Sequence, residues 1–477
     1  MRRASLVALA LGLLAPASAL GETLAGALAH AYEINPTINS ARAGQRANDE
    51  NVPRALAQFR PSVRTDAFLG VERRRSVQKS FEYDNGNRLE PLWVDSIQNN
   101  RGGPPRSAVL SIEQPLFDGF RTRNAALSAE TNVHAGRERL RLLEQRVLFE
   151  AVSVYMNVLR DTAAQRLQQN HVAVLEEQLR QTKERYAAGE ITPTDIAQAE
   201  ARLAAGRSQA AMARAELDAS LARYAQIMGA EARRLAPAEP VDRLLPKTRE
   251  AAERIALVEH PVVRAAQHDA EAADLDIRVI ESDFLPSLSM VGKVYTESDI
   301  DGRGNRAVGA QLLGKLSVPI YSGGGTSARL RQAKQTAGQK KFDVDAARAE
   351  LMALTRANWG GLQAAKAQIA AASAQIAAAE RALAGVREEA KAGKRTTLEI
   401  LNAQQELLGA RLALVVAQRD RVVASYAVLA AMGRLSAQQL GLTVAAYDAS
   451  AHFEAVKDSW GEIGDGIWGG IETPGGR

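Results

Sequence analysis

Ile369 to Ala390 reads IAAASAQIAAAERALAGVREEA. In it Ile369, Ala372, Ile376, Ala379, Leu383, Val386 and Ala390 recur at spacings of 3, 4, 3, 4, 3 and 4. Residues in that rhythm fall on one stripe of a helix, the seam of a coiled coil. Beyond Gly393 a second seam, Leu401, Leu408, Val415, Val422 and Leu429, takes every seventh position. The first half carries the same design at Ile196, Leu203, Ala210, Leu217 and Tyr224. Pattern alone leaves an ordinary helical-bundle core open as well. Length separates the two readings: Asn124 to Tyr186 contains no proline and a single glycine, Gly136. At 1.5 Å per residue a helix over that stretch is a rod of roughly 95 Å, too long for a compact domain.

The chain around these seams is one set of landmarks written twice. Asn35-Pro36 is matched by His260-Pro261, and Pro61-Ser62 by Pro286-Ser287, both at an offset of 225. Further on the offset is 204, pairing Pro115 with Pro319, Gly119 with Gly323, Tyr155 with Trp359, Gly189 with Gly393 and Met228-Gly229 with Met432-Gly433. The change of 21 places one net insertion between Pro61 and Pro115, where Arg73 to Arg106 is polar and reads as a long loop. Loops of that length are uncommon inside compact domains and usual on the outer face of a membrane barrel.

Short strand candidates sit between the proline landmarks, at about 62–72 and 106–117 in the first half and about 287–297 and 307–320 in the second. Val308, Ala310, Leu312, Gly314, Leu316 and Val318 occupy alternate positions with Gln311, Lys315 and Ser317 between them. Such alternation suits a strand with one face in lipid and one toward water. Four strands do not close a barrel, for which about eight is the practical minimum. The sequence therefore demands oligomerisation or another partner.

The amino terminus sets the compartment. Arg2-Arg3, an apolar run from Ala4 to Ala15 and Ala17-Ser18-Ala19 read as a signal peptide over 1–19. The apolar run is shorter than the roughly 20 residues a membrane helix needs, and no later segment supplies a spanning helix. With no cysteine, disulfides, thiol chemistry and a lipid anchor on an N-terminal cysteine are excluded. The formal charge of +5 is mixed along the chain, as on solvated helix faces, and no aromatic-and-basic patch points to nucleic acid. His30, His134, His171, His260, His268 and His452 form no HExxH pattern, and Gly323-Gly324-Gly325 is not followed by the Lys-Ser/Thr of a P-loop. The reading is therefore of no enzyme and no cofactor. The division expected is 20–235 and 236–446 as two structural repeats, with helical hairpins at about 124–229 and 327–433, and 447–477 as a flexible tail.

Ser111-Ile112-Glu113-Gln114-Pro115-Leu116-Phe117-Asp118-Gly119 and Leu316-Ser317-Val318-Pro319-Ile320-Tyr321-Ser322-Gly323-Gly324, with the turns YAAGEITPTDI (Tyr186 to Ile196) and AKAGKRTTLEIL (Ala390 to Leu401), resemble the TolC family of outer-membrane efflux and secretion channels. The resemblance implies a mainly α fold with a small membrane β part. It further implies a homotrimer in outer-membrane lipid, whose 12-stranded barrel continues into a 12-helix periplasmic tunnel, and which works with a periplasmic adaptor and an inner-membrane pump. Pro115, Gly119, Pro319 and Gly323 would mark the swivel from strand to helix, and Gly189 and Gly393 the hairpin tips. The family's periplasmic gate carries over to Asp195 and Arg395 as a polar link and to Glu399 as an acidic ring. Asn402 stands where a second aspartate is frequent and Ala390 where a tyrosine is frequent. Solvent-facing turn residues are the plainer reading of these positions. The alternative for the whole chain is a periplasmic coiled-coil adaptor, which would have one hairpin between β domains instead of a duplicated hairpin.

Overall fold

The computed structural model describes residues 21–71, 74–82, 92–100, 104–300 and 304–460. The expected signal segment, 1–19, lies outside the described residues. In chain order, α1 (Leu24–Ile34), α2 (Pro36–Asp49) and α3 (Asn51–Leu56) lead through a 3-10 turn (Ala57–Phe59) to β1 (Ser62–Leu69), β2 (Arg74–Glu82), β3 (Leu92–Asn100) and β4 (Arg106–Phe117). The helices α4 (Arg121–Ala187) and α5 (Pro193–Met228) follow. The second half repeats the order with α6 (Arg249–Glu259), α7 (Pro261–Glu281), a 3-10 turn (Ser282–Phe284), β5 (Ser287–Ser298) and β6 (Arg306–Ser317). It ends with α8 (Gly325–Lys391), α9 (Thr397–Ala431) and the short α10 (Ala451–Val456). The fold is mainly α with a small β part, as the sequence implies. No helix among the described residues is long and apolar enough to cross a membrane.

α4 and α8 have 67 residues each, about 100 Å at 1.5 Å per residue. Neither contains a proline, so nothing removes a ladder donor along the way. Both long hairpins begin two or three residues before the positions read from sequence.

Two compact units cut across the repeats. One holds the chain up to Gln45, Gly136–Ala266 and Val344–Asp448; the other holds Arg46–Ala135, Gln267–Asp343 and the chain from Ala449. The boundary drawn at 235/236 thus separates copies of a motif, and each copy contributes to both units.

In the first unit the core gathers Leu28, Ile38, Leu148, Tyr155, Tyr224, Met228, Leu429 and Met432. Tyr155 brings its hydroxyl within 2.6 Å of the Ala236 carbonyl and 2.7 Å of the Glu22 carbonyl, so its polar end is satisfied at full burial. Burial pushes its pKa up to about 12. Each such aromatic or aliphatic side chain contributes about 1.5–3 kcal/mol through its removal from water. The landmarks Asn35-Pro36 and His260-Pro261 prove to start helices that the periodicity did not reveal. Asn35 Oδ1 accepts the Thr37 N–H at 2.9 Å, and His260 Nδ1 accepts the Val262 N–H at 3.2 Å. A proline in the first helical turn loses no bond, since that N–H has no partner inside the helix.

The second unit is built on an antiparallel sheet of order β1-β4-β5-β6. β4 pairs with β5 from Arg106↔Ser298 down to Pro115↔Ser289, with a register shift before Phe117↔Leu288. β1 and β6 are the edges, and almost every residue of both is exposed in the single chain. Edges of this kind are templates for further pairing.

Two expectations need correction. The stretch from Arg73 to Arg106 is not a plain loop: β2 and β3 pair across it from Arg74↔Asn100 to Glu82↔Leu92. Its polar residues occupy both alternating sets, so no period-two signal stands out. The tail expected to be flexible over 447–477 carries structure as far as Trp460, and 461–477 lies outside the described residues. Within the first unit the Arg42 guanidinium lies 4.9 Å from the Tyr447 ring. In the second unit α10 buries Phe453 against Val52 and Val133, and His452 Nδ1 is 3.2 Å from Asp49 Oδ2. One buried aromatic on a six-residue helix is too short a pattern to read as a seam.

Candidate functional site: the two hairpin tips

Both long hairpins turn in the same way. α4 ends in a left-handed glycine, Gly189 (φ 77°), and α8 in Gly393 (φ 76°). Backbone bonds close each end: Gly189 N–H to Tyr186 and Glu190 N–H to Arg185 in one, Gly393 N–H to Ala390 and Lys394 N–H to Glu389 in the other. A side chain at either glycine would be strained, because L-residues disfavour this conformation.

The following helices start with reciprocal caps. Asp195 Oδ2 accepts the Thr192 N–H at 3.0 Å and the Thr192 hydroxyl at 2.8 Å. Glu399 Oε2 accepts the Thr396 N–H at 2.8 Å, while Thr396 Oγ1 accepts the Glu399 N–H at 3.4 Å. Thr-x-x-Asp and Thr-x-x-Glu are the sequence signature of this device.

The proposed gate residues divide between these tips. Arg395 Nε donates to Glu389 at 2.7 Å and its Nη1 to Glu399 at 2.7 Å. The two carboxylates raise the Arg395 pKa, and the Thr396 N–H together with Arg395 holds Glu399 below the usual carboxylate range. Within the chain Asp195 and Arg395 are not brought together: one serves its own cap, the other its own tip. Asn402 does cross between hairpins, accepting a hydrogen bond from Arg202 Nη2 at 2.9 Å. Ala390 is buried in a cluster with Leu383, Ile400 and Leu407.

Sequence reasoning missed a duplicated tie. Arg207 meets Glu176 at 2.7 Å, and Arg411 meets Glu380 at 2.8 Å. These pairs sit at the constant offset of 204, so the repeat itself could have found them. Near the tips the hairpins leave a cleft of about 760 Å³ edged by Glu177, Arg185, Glu190, Arg387, Lys391 and Gln404. Both signs of charge line it, and no arrangement for covalent chemistry is apparent among these side chains.

The residues expected to mark a swivel lie where strands give way to long helices. Pro115 is the last regular pair of β4 before its register shift, and Pro319 follows β6 by two residues. Gly119 (φ 67°) and Gly323 (φ 64°) both turn left-handed. At Asp118 a carboxylate accepts the Thr122 N–H at 2.8 Å and starts α4.

Against this geometry stand the known proteins. A family model described as "Outer membrane efflux protein" matches residues 27–230 and 254–434. The chain is 37% identical over 463 residues to the outer membrane efflux protein BepC of Brucella suis biovar 1 (strain 1330), covering 96% of this chain and 94% of that one. It is 27% identical over 359 residues to the alkaline protease secretion protein AprF of Pseudomonas aeruginosa, covering 72% and 74%. The crystal structure of the Campylobacter jejuni CmeC outer membrane channel superposes with a TM-score of 0.72 at 15% identity, covering 91% of this chain and 89% of that one.

Proposed function

The chain belongs to the outer membrane efflux protein family, and from that membership we propose that it is the channel subunit through which an efflux or type I secretion system passes its cargo across the outer membrane. Its helical part lies in the periplasm. The rival reading as an adaptor has no place in this family.

Three copies associate, each giving β1, β4, β5 and β6 to one barrel and two long hairpins to one tunnel. An inner-membrane pump supplies the energy and a periplasmic adaptor joins the two; the chain itself is a passive duct. The observation that carries this is the sheet with two unsatisfied edges, β1 and β6, in a chain whose halves repeat. Lipid does not tolerate unpaired backbone groups, so the edges close on further copies.

At the periplasmic end, Asp195 and Arg395 link neighbouring copies, and Glu399 with Asn402 lines the narrow entrance. Arg395 already engages Glu399, so the acidic ring is partly compensated at rest. Static light scattering on detergent-extracted protein tests the assembly. Three copies per particle is the expected result; a single copy that stays in solution without detergent overturns the reading.

A further inference from the structure

The second unit carries an apolar groove beside the point where β4 passes into α4. It has a volume of about 750 Å³ and runs between α3, the β4–α4 junction and α10, floored by Leu56, Phe59, Leu116, Phe120, Leu127 and Phe453. Three of these stay well exposed: Phe120 at 55%, Leu116 at 49% and Leu127 at 40%. Phe120 also has φ 67°, a conformation that a bulky L-residue adopts only where its surroundings impose it. Its ring meets Phe117 edge-on, with centroids 5.4 Å apart. A contiguous apolar surface of this kind marks a place where something docks.

The rim selects the kind of occupant. Arg123 and Lys457 stand there with Asp118, Glu130 and Asp458, so neither sign prevails. Asp118 is already engaged by the Thr122 N–H, and Lys457 by Glu454. The groove therefore suits apolar side chains and not an anionic headgroup.

The chain itself leads to this groove. Lys457 and Asp458 belong to its lining. Arg60, next to Phe59, lies with its guanidinium 4.6 Å from the centre of the Trp460 ring and donates to the Ser459 carbonyl. The sequence continues beyond Trp460 for 17 residues, GEIGDGIWGGIETPGGR. Glycine at seven of these positions disfavours a packed element of the segment's own. Ile463, Ile467, Trp468 and Ile471 thus need another surface to leave water.

We propose that Ile467 and Trp468 fold back into the groove of their own chain and brace the junction between β4 and α4. The seven residues from Trp460 to Ile467 extend up to about 25 Å, ample for a groove that begins at Asp458. A short tether of this kind holds its end at an effective concentration in the millimolar range, so a weak contact is enough. An indole suits the site: its flat apolar body covers Phe120 and Leu127, and its N–H turns to the carboxylates of the rim.

The absence of cysteine makes the contact directly testable. In isolated membranes, full-length protein carrying Leu127→Cys should react slowly with a bulky charged maleimide. Adding Ile467→Ala and Trp468→Ala should make that labelling fast. Equal rates overturn the proposal, whether the groove lies open or is covered by a lipid chain or a second copy. A second measurement identifies whose segment fills it. Mild oxidation of the protein carrying Leu127→Cys and Gly469→Cys should close a disulfide within single chains, read as a loss of both thiols that reductant restores. Links between chains, or none, overturn the assignment to the same chain.

Discussion

Asp195 and Glu399 hold the same position in the two halves of the chain, the third residue of a long helix, and each accepts the backbone N–H of the threonine three residues before it, at 3.0 and 2.8 Å. The likeness ends there. Glu399 also receives Arg395, whereas Asp195 has both its tip bonds from Thr192. The two tips are thus equal in backbone geometry and unequal in charge.

If the two tips line the entrance as proposed, that inequality bears on ion selection. In planar bilayers Arg395→Ala should raise cation preference, because it strips the partner from Glu399, and Glu399→Ala should lower it. If Asp195 and Arg395 also link neighbouring copies, each alanine variant should raise unitary conductance with trimer yield unchanged. An exposed pair is worth only about 0–1 kcal/mol, so the effect comes from three copies acting on one opening. Reversal potentials and conductances identical to wild type in all three variants would remove these residues from the gate.

Much of this site was open to inspection in the sequence. The long helices were legible because their apolar stripe persists for many turns; the Thr-x-x-acid caps at Thr192–Asp195 and Thr396–Glu399, which also have a sequence signature, went unread. Arg202 and Asn402 could not be joined in the same way, since they are 200 residues apart and no local pattern ties them. The helices α2 and α7 were hidden because their caps, Asn35 and His260, look like turn residues before a proline. Strands β2 and β3 were hidden by polar residues in both alternating sets.

His260 gives the fold an acid-sensitive point that its counterpart Asn35 lacks. Burial lowers the His260 pKa to about 4, with Arg141 adding to the effect and the Ala430 backbone opposing it. A histidine whose folded pKa lies below its ordinary value stabilises the fold fully above about 6.5, and that stability is lost as pH falls toward 4. At pH 5 the loss is about 2 kcal/mol. His260→Asn keeps a side-chain acceptor for the Val262 N–H and cannot titrate. Thermal melts of the two proteins at pH 7.5 and pH 5 should show a drop in the wild type that the variant lacks.

Gly119→Ala should destabilise the strand-to-helix junction. The new methyl would collide with Leu285 and the Ser282 carbonyl, in a backbone conformation that costs an L-residue roughly 1–2 kcal/mol before any clash. Lower yield of assembled protein and faster proteolysis near residue 119 are the expected outcomes, read by quantitative blotting of membranes.

Phe453→Ala tests whether the segment after 447 is anchored. Removing a buried phenylalanine typically costs about 3–5 kcal/mol, here drawn from a small cluster with Val52 and Val133. Limited proteolysis should release the carboxyl-terminal segment from the variant well before the wild type, with the long helices left intact.

The central claim is that copies of this chain enclose a continuous duct. Single-channel recording of the purified, detergent-extracted protein in a planar bilayer measures it most directly. Discrete current steps of one uniform size are expected, abolished when β6 and β1 are kept from pairing. Silent bilayers from protein that has been shown to be inserted and trimeric would contradict it.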